Sequence, residues 1–202
     1  MRTITALFDT YEHAASAVRA VRDAGIDSAD ISVVANNVAG DIDTDLDAEE
    51  GAAAGAGVGA VAGGGAGLLA GLGALAIPGI GPVVAGGWLL ATAIGALAGA
   101  AVGGAAGGLL GALANAGVPE EQAHVYAEGV RRGGTLVSVR ADETRADSIA
   151  AILRHADGVD IDARRADYLA EGWRGFDEDA PAYSADQIRD YRSVYGSVPP
   201  IV

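Results

Sequence analysis

The chain has 202 residues, no cysteine and a net charge of −14 at pH 7. This length is enough for one or two domains with a hydrophobic core, and the lack of cysteine excludes disulfides and thiolate metal sites. The negative charge argues against nucleic-acid binding, which needs a basic surface, and against electrostatic attraction to anionic lipid. The first residues lack the succession of regions typical of a secretory signal, so we expect a cytoplasmic or cytoplasmic-membrane-associated protein that is not secreted.

Residues 1–40 read as a strand, a helix and a second strand. The alternation from Thr3 to Phe8 predicts the first strand. Asp9 is the expected N-cap of the helix, with Glu12 completing a capping box. The helix should stop at Gly25, and residues 31–35 should form the second strand. This segment is therefore the first half of a two-part βαβ fold.

Residues 41–50 are strongly acidic and link this half to the next segment. The alternating aspartates from Asp41 to Asp47 are similar to the start of an EF-hand loop. The match then fails, because the sixth position is Leu46 instead of glycine and the twelfth is Ala52 instead of glutamate. We interpret the segment as a solvated connector and predict no metal or other cofactor.

Residues 51–118 contain no ionisable side chain and carry glycine at every fourth position in two runs. Residues four apart share one face of a helix, so each run would form a groove that lets another backbone approach closely. The two runs are mirror images about Gly81. The pattern predicts a helical hairpin with its turn at residues 77–82. The glycines of the two runs, called the ladder here, are Gly51, Gly55, Gly59, Gly63, Gly67, Gly71, Gly95, Gly99, Gly103, Gly107 and Gly111.

A glycine inside a helix costs about 1 kcal/mol relative to alanine. The ladder is therefore reasonable only if close packing, between the two arms or between copies of the chain, offsets this cost. A four-residue step also exceeds the 3.6-residue helical turn. The glycine stripe consequently drifts around the helix, and partners should cross as in right-handed small-residue packing. We expect the chain to form a homo-oligomer.

The larger apolar side chains of this stretch cluster toward the predicted turn. A patch of this kind on a lone monomer is too large to remain exposed. Three arrangements would cover it: insertion into a lipid bilayer, burial in the core of a soluble assembly, or packing within one chain. The residues of this predicted tip are Leu68, Leu72, Leu75, Ile77, Ile80, Val84, Trp88, Leu90, Ile94 and Leu97.

Residues 119–166 repeat the helix and strand pattern. Pro119 suits the first turn of a helix that runs to about Arg132, and residues 135–140 should form a strand. Asp142 or Thr144 should cap the next helix, and residues 159–163 should form a last short strand. Together with residues 1–40, this predicts an α+β domain with a ferredoxin-like split βαβ sheet and helices on one face. The hairpin would be inserted between the second and third strands.

The C-terminal tail, residues 167–202, is rich in aromatic residues. Ser184 and Gln187 predict a capped short helix that continues to about Tyr191. Aromatic anchors on a polar segment are typical of a docking peptide, but a tail that packs on its own domain or stays loose has the same sequence character. The expected docking residues are Trp173, Phe176, Tyr183, Tyr191 and Tyr195.

The sequence offers little that resembles a catalytic site. His13, His124 and His155 fall on three different predicted helices, without carboxylates at the spacing of a metal site or a catalytic triad. The glycine-rich stretch does not directly follow a strand and lacks Gly-Lys-Ser/Thr, so nucleotide binding is not expected. We interpret the protein as a non-enzyme.

Two segments resemble a known family. Residues Ala6-Leu-Phe-Asp-Thr-Tyr-Glu-His-Ala14, followed by Gly25-Ile26 and Asp30-Ile-Ser-Val-Val34, resemble the bacterial general stress proteins with a heat-induced stress-protein domain. The segment from Gly117 to Val137 is similar to the second half of the glycine-zipper members of that group. The resemblance covers about residues 3–172. It implies stress induction and membrane association, and it supplies no activity or catalytic residues.

These observations lead to two hypotheses of different classes. The first is a stress-associated structural protein that self-assembles through its glycine-zipper hairpin at or in the cytoplasmic membrane. The second is a ligand-sensing module, in which the sheet domain binds a small molecule and the hairpin acts as an anchor. Self-association, with the lipid bilayer as a further partner, follows from the first, and neither involves nucleic acid.

Overall fold

A computed structural model describes residues 1–42, 73–89, 92 and 108–196. In these ranges one antiparallel sheet of five strands has the spatial order β1-β5-β2-β4-β3, and helices pack on it. The strands are β1 (Arg2–Phe8), β2 (Ile31–Asn36), β3 (Gly73–Ile77), β4 (Gly81–Gly86) and β5 (Thr135–Ala141). The helices are α1 (Tyr11–Asp23), α2 (Gly108–Asn115), α3 (Glu120–Arg131), α4 (Glu143–His155), α5 (Ile161–Ala170) and α6 (Ala185–Tyr195), with a 3₁₀ turn at Ser28–Asp30. The predicted α+β class is confirmed.

Strands β1, β5 and β2, on one side of the sheet, form a split βαβ unit. β1 and β2 run in the same direction and are joined by α1, and β5 lies between them, antiparallel to both. Leu136 of β5 lies opposite Leu7 of β1 and opposite Val34 of β2, which defines the register of the three strands. The strands predicted near residues 3–8, 31–35 and 135–140 are therefore present, and β5 pairs with both of the others.

The expected last strand at residues 159–163 is wrong. The backbone N–H of Val159 donates to the carbonyl oxygen of Leu7 at 2.8 Å on the outer edge of β1, but the chain then turns into α5. Asp160 caps this helix, and its carboxylate accepts from the N–H groups of Asp162 and Ala163. The N-cap aspartate followed by a second aspartate in the first turn favours a helix over a strand. The described residues thus do not complete a ferredoxin-like sheet.

The chain near the predicted turn also differs from the expected helical hairpin. A reversal does occur at Pro78-Gly79-Ile80, but strands β3 and β4 flank it where helical arms were predicted. β4 pairs with β2, from Val33 opposite Gly86 to Asn36 opposite Val83. The free edge of β2 offers backbone hydrogen bonds that an isolated hairpin lacks, and β-branched residues such as Val83 and Val84 fit a pleated, buried surface. These contacts explain why a β-hairpin forms here.

Helices cover both faces of the sheet, whereas the sequence predicted helices on one face. α1 and α4 pack on the face that carries Phe8, Val33 and Val137. α2 and α3 pack on the opposite face, which carries Leu7, Val34 and Leu136. Because neighbouring residues of a strand point to opposite faces, a sheet covered on both sides requires apolar residues in succession. All residues of β2 are accordingly buried.

The helix caps agree with the sequence at one end of the chain and differ at the other. Ser184 and Gln187 form the predicted capping box at the start of α6. At the start of α1 the N-cap is Thr10 instead of Asp9, and the Thr10 hydroxyl accepts from the N–H of His13 at 3.2 Å. Asp9 is one residue too early for this role, and its carboxylate binds Arg164 instead.

Candidate tail-docking site

Helix α5 runs to Ala170, so the tail in this structure begins at Glu171, and its described part folds back onto the domain. It contacts a surface formed by Asp9 before α1, the end of α3, the loop after α3 and the buried face of α5, which we call the tail groove. The sequence left open whether the tail docks on its own domain, docks elsewhere or stays loose, and in this structure it docks on its own domain. The residues that define the groove are Asp9, Glu128, Arg131, Arg132, Gly133, Arg164 and Tyr168.

A buried carboxylate organises one side of the groove. Glu128 is 1% exposed and lies on α3. It accepts hydrogen bonds from the Arg132 Nε at 2.7 Å and from the Arg131 Nη1 at 3.3 Å. Arg132 also donates to Glu171, just after α5. Helical spacing brings Glu128 to Arg131 and Arg132, because residues three and four apart share a face.

A second buried ion pair forms the other side. Arg164 of α5 is 7% exposed, and its two terminal nitrogens bind the two oxygens of Asp9 at 2.7 and 2.8 Å. This two-point geometry is the strong form of an arginine–carboxylate contact. The same guanidinium donates to the hydroxyl of Tyr191 at 2.9 Å. The pair therefore links the start of α1, α5 and the tail.

Tyrosine rings cover the arginine groups of the groove. The Arg132 guanidinium lies 4.1 Å from the ring centroid of Tyr168, and that of Arg131 lies 4.9 Å from Tyr183. Arg164 lies 4.4 Å from the ring centroid of Tyr195. Contacts of this kind contribute about 0.5 to 2 kcal/mol each, depending on burial. The tail thus supplies aromatic faces to cations that the domain holds in place.

Gly133 provides a notch for the tail helix. The Ile188 side chain is fully buried, and a Cβ at Gly133 would meet its Cγ2 at 2.5 Å. The Gly133 carbonyl oxygen accepts from Arg192 at 2.8 and 3.0 Å, and Arg192 also binds Asp41 at 2.7 Å. Because φ at Gly133 is +106°, a side chain is disfavoured here on two grounds.

The first part of the tail is held by separate contacts. The Phe176 ring is buried in the same cluster as Ile77 and Ile80. The Phe176 backbone N–H donates to the His124 Nδ1 at 3.1 Å, which requires that nitrogen to be unprotonated. Trp173 packs edge-to-face on Tyr168, with 5.6 Å between ring centroids. The tail is therefore anchored both before and within α6.

Burial and hydrogen bonding together set the protonation of the groove. Burial alone lowers the pKa of Arg132, but the hydrogen bonds that Arg132 donates to Glu171 and Glu128 outweigh it, and the pKa is raised. Burial also opposes the charge of Arg164, and the hydrogen bond to Asp9 likewise leaves its pKa raised. Burial raises the pKa of Tyr168 and of Tyr191, whose hydroxyls lie 2.9 Å apart. At neutral pH the groove therefore contains charged arginines and neutral tyrosines.

All five tail residues proposed from the sequence are in contact with the domain: Trp173, Phe176, Tyr183, Tyr191 and Tyr195. The groove residues were not identified from the sequence. Glu128 and Arg132 at helical spacing were a visible signal for an ion pair, but the partners Asp9 and Arg164 lie far apart in the chain. Only the fold brings that pair together.

Most of the ladder lies outside the described residues, and so do Leu68, Leu72, Leu90, Ile94 and Leu97 of the predicted tip. Gly111 is buried in α2. Leu75 is part of β3. Ile77 and Ile80 are buried in the main core. Val84 packs against Ala35 and Ile42. The Trp88 Nε1 donates a hydrogen bond to the Asp30 carbonyl oxygen at 3.3 Å.

The histidines and the acidic connector are only partly accounted for. His13 lies 3.9 Å from Asp157, and His155 Nδ1 contacts the Ala151 carbonyl oxygen at 2.7 Å. Asp41 binds Arg192, and the connector beyond Ile42 lies outside the described residues. Among the residues that the structure describes, no three histidine or acidic side chains are grouped as metal ligands would be.

Comparison of the chain with models of known protein families, with curated proteins and with solved structures found no match. Within the described ranges, none of the helices combines the length and the apolar character needed to cross a bilayer.

Proposed function

We propose that the chain is a non-enzymatic structural protein that self-assembles through its glycine ladder, with the α+β domain as its charged part. The observation that carries the proposal is the stretch between Glu50 and Glu120, which has no ionisable side chain and repeats glycine every fourth residue. Uncharged helical faces with this spacing allow close backbone contact, which is the usual reason to retain so many helix-disfavouring residues.

The described domain supports this assignment because it offers little apolar surface of its own. In the part of the chain with described side chains, the exposed large hydrophobic residues are Met1, Leu169 and Val194. Such a surface is ordinary for a monomeric domain. The uncharged stretch is therefore the better candidate for the contact between copies.

The described strands next to the glycine runs support the proposal. In the sequence, the first run ends just before Gly73, the first residue of β3, and the second run begins shortly after Trp88, which follows β4. Gly73 pairs with Ala85 near the end of β4, so the chain enters β3 and leaves β4 at the same end of the sheet. Contact between the two runs, or between equivalent runs of two copies, is compatible with this arrangement of the two strands.

Replacing four ladder glycines tests the proposal. We expect Gly59, Gly63, Gly99 and Gly103 changed together to leucine to shift the sedimentation profile from assemblies to smaller species, because bulky side chains prevent close approach. The matched control changes the same four residues to alanine, which keeps the face small and should keep the assembly. An unchanged profile in the leucine variant would refute self-assembly through the ladder.

The lipid bilayer is the second partner in this proposal, supported by the uncharged, Gly- and Ala-rich sequence on either side of the β3–β4 hairpin. Membrane fractions washed at alkaline pH should retain the intact chain if the uncharged stretch inserts. Release of the chain as a large soluble particle would instead assign the stretch to the core of a protein assembly. A role in stress rests on the resemblance of residues 3–172 to general stress proteins.

A further inference from the structure

Helix α6 presents the anchor pattern of a helix bound in a groove. Ile188, Tyr191, Arg192 and Tyr195 are spaced i, i+3, i+4 and i+7, which places them on one face. Ile188 fills the notch at Gly133, and Tyr191 contacts Arg164 and Tyr168. Arg192 binds Asp41 and the Gly133 carbonyl, and Tyr195 covers Arg164. Each of the four anchors thus contacts at least one residue of the domain.

The groove that receives these anchors is organised without the tail helix. Arg164 is held by Asp9, and Arg132 is held by Glu128 and Glu171. None of these carboxylates belongs to α6. The charged groups therefore keep their positions when α6 is absent, and a groove that is already ordered binds a helix at a lower entropic cost.

The connection between the domain and the docked tail contains two glycines with unusual backbone conformations. φ is +90° at Gly172 and +154° at Gly175, and a Cβ at Gly172 would meet nothing within 4 Å. Glycine adopts many backbone angles at little cost, so Gly175, which follows the contact of Trp173 with Tyr168, can serve as a hinge. Helix α6 also carries its own capping box at Ser184 and Gln187, so its first turn does not depend on the groove.

We propose that the tail groove is a helix-binding site that accepts α6 of a second copy of this chain, together with the segment from Phe176 that leads into it, in exchange for its own. The occupant is a second copy because its α6 carries the same four anchors, and exchange across a short hinge preserves every docking contact. The chain's own helix has an effective concentration of about 1 mM. Exchange should therefore be minor in dilute solution, about one tenth at ~100 µM chain, and greater where copies are held together.

A photo-crosslink in isotope-mixed protein tests this exchange directly. The full chain with a benzophenone amino acid at position 195 is prepared with ¹⁴N, mixed with an unmodified ¹⁵N chain, irradiated and digested. Tyr195 lies over Arg164 of α5, so the crosslinked peptide should come from α5. With the ¹⁵N chain in large excess, a ¹⁴N α5 peptide reports docking within one chain and a ¹⁵N peptide reports exchange. We expect the ¹⁵N fraction to rise about tenfold between ~10 and ~100 µM.

A charge exchange at one contact provides the matched test. The photo-reactive chain carries Asp41→Arg and the ¹⁵N chain carries Arg192→Asp. Within either chain, positions 41 and 192 then have the same charge and repel each other. When the two chains exchange α6, position 192 of one chain meets the opposite charge at position 41 of the other. The ¹⁵N fraction should rise several-fold in this mixture. It should return to the original level when both chains carry both substitutions, which restores the pair within each chain.

Two outcomes overturn the proposal. One is an α5 peptide that carries only ¹⁴N at every concentration and in the charge-exchanged mixture. The other is a ¹⁵N signal that disappears in chains with the four ladder glycines changed to leucine, because the contact would then be a consequence of ladder assembly. A ¹⁵N signal that persists in those chains supports the exchange of α6, even if the ladder proposal fails.

Discussion

At the scale of single residues, the tail groove depends on charges that are buried in pairs. Glu128 and Arg164 are both almost inaccessible, and each is bound by groups of opposite charge. The attraction within such a pair is largely offset by the loss of hydration, so the pair itself adds little net stability. Removing one member has a larger effect because the other charge then remains buried and unpaired.

Glu128→Gln should therefore destabilise the domain markedly. Arg131 and Arg132 lose a buried anionic partner, although Arg132 keeps Glu171, and we expect the free energy of unfolding to fall by about 3 kcal/mol. Urea unfolding followed by tryptophan fluorescence measures the change. Asp147→Asn is the control, because Asp147 is 96% exposed and its contact with Arg2 should contribute less than about 1 kcal/mol. Equal effects of the two substitutions would contradict the role of Glu128.

Tyr126 should make the domain sensitive to alkaline pH. Its hydroxyl donates to the Thr5 carbonyl oxygen at 2.9 Å. Burial, with a smaller contribution from Asp162, raises the pKa of Tyr126 to about 12, whereas an unfolded tyrosine has a pKa of about 10. Above pH ~10 the unfolded chain binds fewer protons than the folded one, so stability falls as pH rises. The contribution is complete below about pH 10 and is lost by about pH 12.

Urea midpoints measured from about pH 9 to about pH 11.5 check this dependence. We expect the midpoint to decline across the range. In Tyr126→Phe the decline should be shallower, although the variant should be about 1 kcal/mol less stable at neutral pH because it lacks the hydrogen bond to Thr5. Tyr168 and Tyr191 retain their own alkaline dependence, since burial raises the pKa of each. If the urea midpoint declines equally with pH in the two proteins, Tyr126 does not contribute to the alkaline dependence.

At the scale of elements, the tail closes over the turn between β3 and β4. A Cβ at Gly79 would meet the Asp177 carbonyl oxygen at 2.7 Å and the Glu178 Cα at 2.9 Å. Phe176, just before this contact, packs in the cluster that holds Ile77 and Ile80. The tail therefore covers apolar residues of the central stretch as well as the arginines of the groove.

A matched pair of glycine substitutions measures this contact. φ is +72° at Gly79 and +71° at Gly40, and a Cβ at Gly40 would meet nothing within 4 Å. Both changes to alanine carry the same backbone penalty of about 1 kcal/mol. Gly79→Ala should cost a further 1 to 3 kcal/mol or so, because the tail backbone must shift. Equal urea midpoints for the two variants would show that the tail does not press on this turn.

The sequence was sufficient for elements whose signals are local. The strand and helix near the N-terminus, α3 after Pro119, and the capping box of α6 are set by alternation, helical spacing and cap residues within a few positions. The β-hairpin at residues 73–86 was missed because the helical arms inferred from the two glycine runs were expected to continue up to the turn at residues 77–82. Its strands form because β2 has an edge to pair with, and this contact cannot be read from the local pattern.

The tail groove depends even more on distant contacts. Asp9 reads as an N-cap in the sequence, but the fold places it beside Arg164 and leaves the cap to Thr10. The aromatic residues of the tail were recognised as docking anchors, whereas their binding surface was not, since it is assembled from α3, α5 and the start of α1. Such a site becomes visible only once these elements are packed together.

At the scale of the whole molecule, a charged domain with covered sheet faces is joined to a long uncharged stretch. The domain holds its own tail and exposes few large apolar side chains among the described residues. The net charge of −14 keeps such domains apart in solution. We therefore expect the main contact between copies to come from the uncharged residues 51–118, outside the parts of that range that form β3, β4 and α2.

The molar mass of the intact chain shows most clearly whether the protein self-assembles, and light scattering measures it on the purified soluble protein and on protein extracted from membranes in mild detergent. One chain has a mass of 20.0 kDa. Self-assembly through the glycine ladder should give a defined species of several times this mass in at least one of the two preparations. A single 20.0 kDa species in both preparations, at all concentrations, would contradict self-assembly as the function of the glycine ladder.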